Sequence, residues 1–219
     1  MVKIFPSLMS ANILELKKEI ELLEPHCDGF HLDVMDLHFV PNLTWGPTII
    51  NAIAKAVTKE LFIHLMVEEP EKVIEYLQLP ENSIISFHKI STAKPSSVIK
   101  NINKKGWRAS LAMSPDDPAD GVIPLIDQIH QVLVMAVRPG SSGQEFIPQT
   151  LDKVKFLDKY RKEHDLSFRI AIDGGINEDN IKKVVKAGVD DIAMASAIFK
   201  AEDRIQALKK LRKLAGDKE

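Results

Sequence analysis

Eight short runs rich in branched apolar residues recur along the chain, at Lys3–Ser7, Gly29–Met35, Leu61–Met66, Ser83–His88, Arg108–Met113, Gln131–Val137, Phe168–Asp173 and Asp191–Ala195. Between them the apolar positions return every three to four residues, as in Ile13, Leu16, Ile20 and Leu23 or in Ile181, Val184 and Val185, which is the period of a helix with one buried face. Local signals agree. Ser10 and Asn177 are placed as helix N-caps, Pro47 suits a first helical position, and Gly188 after Ala187 is a helix stop. One interval breaks the rhythm: DDPADGVIPLID contains Pro118, Gly121 and Pro124, which disfavour a regular helix there.

Strictly alternating strands and helices predict an α/β fold with a parallel sheet. Eight such units fit the 219 residues at about 27 residues each, compact for a (β/α)8 TIM barrel of usual length ~250 residues. An open doubly wound sheet is the alternative, but it generally uses fewer strands and often a Gly-rich turn after the first. Here the first run ends at Ser7 without that turn. The expectation is one barrel domain spanning residues 1–219.

The stretch FHLDVMDLHFVPN sharpens this picture. Alternate strand residues face opposite ways, so Phe30, Leu32 and Val34 share one face and His31, Asp33 and Met35 the other. A half-exposed strand would show the same alternation with its polar residues simply solvated. In a barrel, the polar face points inward, and chemistry gathers at the C-terminal ends of the strands. The third run puts His64 and Met66 on the matching face, and the seventh ends in Asp173 before Gly174-Gly175. Singly, a buried histidine is most often a satisfied core residue and an aspartate before Gly-Gly a turn former. Together, His31, Asp33, His64 and Asp173 make a donor set suited to one divalent ion such as Zn²⁺, Fe²⁺, Mn²⁺ or Co²⁺. Two carboxylates buried side by side without a cation are costly.

Composition narrows the partners. Lys+Arg 29 against Asp+Glu 31 leaves a formal charge of -2, so no basic field points to nucleic acid. The single cysteine, Cys27, forms no intrachain disulfide and reads as core filler in a reducing compartment. The first twenty residues lack a signal-peptide pattern, and no uninterrupted apolar run is long enough to span a membrane. A soluble cytoplasmic protein is expected.

The segments FPSLMSAN, FHLDVMDLHFVPNLTWGP, IHLMVEEP, VMAVRPGSSGQEFIP, IDGGIN and ASAIF, in this order, resemble the ribulose-phosphate 3-epimerase family along nearly the whole chain from Ile4 to Phe199. The resemblance implies a barrel of the ribulose-phosphate-binding type. It implies a metal on His31, Asp33, His64 and Asp173, with Asp33 and Asp173 also serving as the acid–base pair that inverts C3 of a ketose phosphate through an enediolate. It further implies substrate contacts at Ser7 and His64, a cap of Met35, Met66 and Met135, and a phosphate end built from Gly140, Ser142, Gly143, Gly174, Gly175, Ala195 and Ser196. A homo-oligomer working on a small sugar phosphate, in the pentose phosphate pathway, belongs to the same expectation. Asp36 and His38 lie just past the second strand, and Asp36 is assigned to loop support rather than catalysis.

Departures from the family pattern fall in the substrate loops. Ser141 and Ser142 stand in a Gly-Phe-Gly-Gly position, Ala195 replaces a glycine, Leu37 replaces the glycine after Met-Asp, and Arg138 precedes Pro139 where a neutral or acidic residue is usual. In FHKIS, His88 keeps its place but its acidic neighbour is missing. Epimerisation of a related ketose phosphate such as D-allulose 6-phosphate, or a non-catalytic sugar-phosphate-binding barrel, therefore stands as the alternative. Phosphosugar aldolases and decarboxylases fit less well, since no Asp-x-Lys-x-x-Asp pattern closes a strand.

Overall fold

A computed structural model of the chain describes residues 1–216, so the last three residues of the expected domain lie outside the described ones. Strands β1 (Lys3–Pro6), β2 (Gly29–Met35), β3 (Glu60–Met66), β4 (Ile84–His88), β5 (Arg108–Met113), β6 (Gln131–Met135), β7 (Arg169–Asp173) and β8 (Asp191–Met194) form one parallel sheet. Each lies within two residues of its predicted run. The ladder passes from β2 through β8 to β1, and a bridge between Ser7 and His31 together with the Asp28 N–H on the Ile4 carbonyl (3.2 Å) joins β1 to β2. This is the predicted TIM barrel. The closing strands approach so tightly that a Cβ at Gly29 would lie 2.1 Å from the Glu60 carbonyl oxygen and 2.8 Å from the Phe5 ring.

Helices α1 (Leu16–Leu23), α2 (Pro47–Ala56), α3 (Pro70–Tyr76), α4 (Pro95–Lys104), α5 (Thr150–Glu163), α6 (Ile181–Lys186), α7 (Ser196–Phe199) and α8 (Arg204–Leu214) connect the strands. Pro47, Pro70 and Pro95 open α2, α3 and α4, where their missing N–H costs no helical bond. The broken interval between β5 and β6 folds as a 3-10 helix at Ile123–Gln128, as its prolines foretold. Gly188 ends α6 at φ +110 and donates its N–H to the Val185 carbonyl. The two N-caps are displaced. Ser10 closes a 3-10 turn, and Asn12 instead accepts from the Leu14 N–H; Asn177 accepts from the Asp179 N–H, one turn before α6 begins.

The outer strand face, with Leu32, Ile63, Phe87, Leu111, Val132 and Ile170, packs under helix residues such as Ile20, Ile50, Val98 and Leu157. The inner face holds a small apolar layer of Phe5, Phe62, Ile84, Ala112, Leu133 and Ala171. Phe62 is fully buried, meeting Phe5 edge-on at 5.8 Å and the His31 ring at 4.6 Å, and that burial contributes roughly 1.5–3 kcal/mol. Beneath this layer, charged residues at the strand starts pair across the barrel. Glu60 accepts from Lys3 and Arg108, and Asp191 accepts from Gln131 (2.7 Å) and Arg169 (2.8 Å). The apolar layer separates this plug from the upper mouth, where the remaining inward polar residues lie. No helix among the described residues is long and apolar enough to cross a membrane.

Candidate active site

The alternation along β2 and β3 turns His31, Asp33 and His64 inward, and the last residue of β7 adds Asp173. One ligand-type atom from each of the four lies within 4.8 Å of the others. His31 Nε2 sits 3.1 Å from Asp33 Oδ1 and 3.7 Å from Asp173 Oδ2, while His64 Nδ1 sits 3.3 Å from Asp33 Oδ1. Both histidines are fully buried, and Asp33 is 5 % exposed. Ser7 donates its hydroxyl to the other oxygen of Asp33 at 2.7 Å, which fixes the carboxylate plane. Two acids converging on one imidazole nitrogen in a dry pocket call for a cation at their centre, and imidazole plus carboxylate is the donor chemistry of a borderline divalent ion. The residues present therefore fit a divalent metal.

Burial and charge separate the two carboxylates. Burial works to raise Asp33, yet the charges and hydrogen bonds of His31 and His64 outweigh it and hold this carboxyl well below the usual carboxylate range. Asp173 is pushed up to about 7, first by burial and then by the charge of Asp33. His31 is drawn upward on balance, burial being overcome by Asp33 and Asp173, whereas burial depresses His64. His88, not assigned to the site from sequence, lies beside it. Its Nε2 faces His64 Nε2 at 3.0 Å, and burial followed by the charge of His64 lowers it.

A cleft open to solvent lies above these groups. Asp33, Asp173 and Ser7 reach it, and Met35, Met66 and Met135 line it although each is almost wholly buried. His64, read also as a substrate contact, is fully buried and outside that lining, as is His31. Met9, which sequence reasoning passed over, lines the cleft and packs against the cluster of Met35, Val40 and Met66. Its position two residues past Ser7 is the only signal that pointed there.

The residues expected at the phosphate end, Gly140, Ser142, Gly143, Gly174, Gly175, Ala195 and Ser196, all line the same cleft. Gly174 (φ +111) and Gly175 (φ +66) need to be glycine, since a Cβ would lie 2.4 Å from Val137 and 2.6 Å from the Phe146 backbone nitrogen. Gly140 and Gly143 also hold positive φ, but Ser141 and Ser142 do not, and Ala195 sits at φ -108. The departures at Ser141, Ser142 and Ala195 thus fall where a side chain is sterically allowed, whereas Leu37, at φ +64, holds a left-handed position that favours glycine. Ser142 meets the Ser10 hydroxyl at 2.8 Å and Asn42 donates to the Gly140 carbonyl, so this loop is tied across the mouth. Arg138 lines the cleft, and its guanidinium is paired with Asp116 at the surface. Asp36 accepts from the backbone N–H groups of His38, Phe39 and Glu68, the loop-support role expected of it. Burial pushes the Cys27 thiol up to about 12, leaving it a packed, unreactive group.

A model of the ribulose-phosphate 3 epimerase family matches residues 3–199. Ribulose-phosphate 3-epimerase of Schizosaccharomyces pombe is 36% identical over 214 residues, covering 96% of this chain and 92% of that protein. The enzyme of the same name from Methanocaldococcus jannaschii is 37% identical over 216 residues, covering 98% and 92%. Among solved structures, 3-hexulose-6-phosphate synthase from Salmonella typhimurium superposes with a TM-score of 0.71 at 17% identity, over 98% of each chain. Orotidine 5'-monophosphate decarboxylase from Sulfolobus solfataricus gives 0.68 at 12% identity, also over 98% of each chain. At such low identity these two establish the shared fold alone.

Proposed function

Since the chain belongs to the ribulose-phosphate 3-epimerase family, whose members are isomerases, we propose that it interconverts D-ribulose 5-phosphate and D-xylulose 5-phosphate by two-base proton transfer at C3. One observation carries this reading: two carboxylates, Asp33 and Asp173, share one buried His/Asp cluster at the barrel mouth and both reach the cleft. Inversion next to a ketone requires a group that removes the proton from one face and another that delivers a proton to the opposite face. Asp33, held as an anion by Ser7 and the two histidines, serves one face. Asp173, whose carboxyl in the metal-free chain is pushed up to about 7, reaches the same cleft and serves the other. Which of them takes and which gives depends on the substrate entering.

His31, Asp33, His64 and Asp173 are the proposed metal ligands, and a divalent ion held by them would supply Lewis-acid stabilisation of developing negative charge. Met35, Met66 and Met135 exclude water from the reacting carbon without offering a competing base. The turns at Gly174-Gly175 and Ala195-Ser196, with the Gly140–Gly143 loop, receive the phosphate on backbone N–H groups. A comparison of kcat/KM for D-ribulose 5-phosphate and D-allulose 6-phosphate tests the substrate. Preference for the pentulose is expected, and a clear preference for the hexulose overturns the assignment.

A further inference from the structure

We infer that His88 is a positioning residue for the metal centre, accepting a hydrogen bond from the outer ring nitrogen of His64 and so fixing that ring as a ligand. The inference rests on the metal reading given above. His64 and His88 stand on adjacent strands; His64 is paired in register with Ser86, which puts His88 two residues further along on the same inward face. Both rings are buried, at 0 % and 1 % exposure, and their Nε2 atoms lie 3.0 Å apart. Two nitrogens at that distance share one proton, so one ring donates and the other accepts.

Geometry decides which. His64 turns Nδ1 toward Asp33 and the cluster centre, so as a ligand it must present a lone pair there. Its proton then resides on Nε2 and is donated to His88 Nε2. His88 in turn keeps its proton on Nδ1, which points to the Ser114 hydroxyl at 3.4 Å. The Phe39 ring, 4.9 Å away, flanks His88, and Ser91 donates to the His88 carbonyl at 2.7 Å, so the acceptor is itself held from two sides. His31 lacks such support. Its outer nitrogen, Nδ1, is buried with no hydrogen-bond partner among the described residues. Orientation of the His64 ring therefore enters through β4, from a residue outside the ligand set, as Ser7 orients Asp33 from the end of β1.

The test compares Zn²⁺ affinity, by chelator competition, for the parent chain, His88→Phe and His88→Gln, with thermal melts as a folding control. Phenylalanine keeps the ring shape and removes the acceptor; glutamine places an amide oxygen about where Nε2 stood. Loss of His88 should weaken Zn²⁺ binding about 10–100-fold in His88→Phe and leave His88→Gln within about threefold of the parent. In parallel, ¹⁵N NMR of histidine-labelled, zinc-loaded parent should place the shared proton on His64 Nε2, with a coupling across the hydrogen bond to His88. Equal Zn²⁺ affinity in parent and His88→Phe, or a proton residing on His88 Nε2, overturns the inference while leaving the metal reading intact. A parent that binds no Zn²⁺ overturns both. If His88→Phe does not fold, the proton assignment decides alone.

Discussion

Replacing Asp173 by Asn separates catalysis from stability, and the two should move in opposite directions. The Asp173 carboxyl rises from its ordinary 3.8 to about 7 because burial and the Asp33 anion oppose its ionisation. A group with a raised folded-state pKa contributes stability that is complete below the unfolded value and is lost as pH climbs through the folded value. For metal-free protein the window is therefore about pH 4 to 7, and at about 1.4 kcal/mol per pH unit the loss amounts to ~4 kcal/mol. Asn resembles the protonated acid in shape and bears no charge, so Asp173→Asn escapes this loss. Urea unfolding in the presence of a chelator should find the variant more stable than the parent by about 2–4 kcal/mol at pH 8, with the difference shrinking toward zero near pH 4. Epimerisation should fall by at least about 10²-fold at both pH values. A variant less stable than the parent at pH 8, or a difference independent of pH, would refute the electrostatic reasoning.

Three further outcomes are expected. Below about pH 7 the proton on Asp173 competes with the cation, so Zn²⁺ affinity measured by calorimetry should decline by up to about tenfold per pH unit, and a pH-independent affinity between 5.5 and 7 contradicts the ligand assignment. Leu37 holds φ +64 with its side chain 62% exposed, so Leu37→Gly should raise the urea midpoint, corresponding to about 1 kcal/mol. The Lys200 Nζ lies 3.8 Å from where a Cβ on Gly143 would sit, beside the proposed phosphate end. Steady-state kinetics of Lys200→Ala should show KM increased about three- to tenfold with kcat little changed.

Much of this architecture was legible because the barrel imposes its period directly on the sequence. Residues such as Leu32 and His31 alternate between an apolar exterior under the helices and a polar interior, and eight repetitions of that pattern leave few other folds. The four inward residues that meet at the mouth were legible for the same reason, since strand parity alone places His31, Asp33 and His64 on one face. The charged plug at the bottom follows the same parity. Glu60, Arg108, Arg169 and Asp191 lie at strand starts with the inward parity and pair with one another there. His88 was legible only as a residue keeping its family place; its contact with His64 depends on how β3 and β4 align in the folded sheet. The N-caps slipped for a related reason: short turns at Leu8–Ser10 and around Asn177 use the same capping residues as a helix start, and the backbone settles which element they serve.

The central claim is that Asp33 and Asp173 work on opposite faces of one carbon. NMR of the metal-loaded protein with D-ribulose 5-phosphate in D₂O tests it most directly, by following deuterium entry at C3 together with the appearance of D-xylulose 5-phosphate. The account predicts that both occur in the parent. It also predicts that Asp173→Asn forms no product while any residual exchange returns only deuterated starting sugar, the signature of a single remaining base. Product formation by Asp173→Asn at the parent rate, or a metal-loaded parent that neither exchanges nor epimerises this sugar, would contradict it.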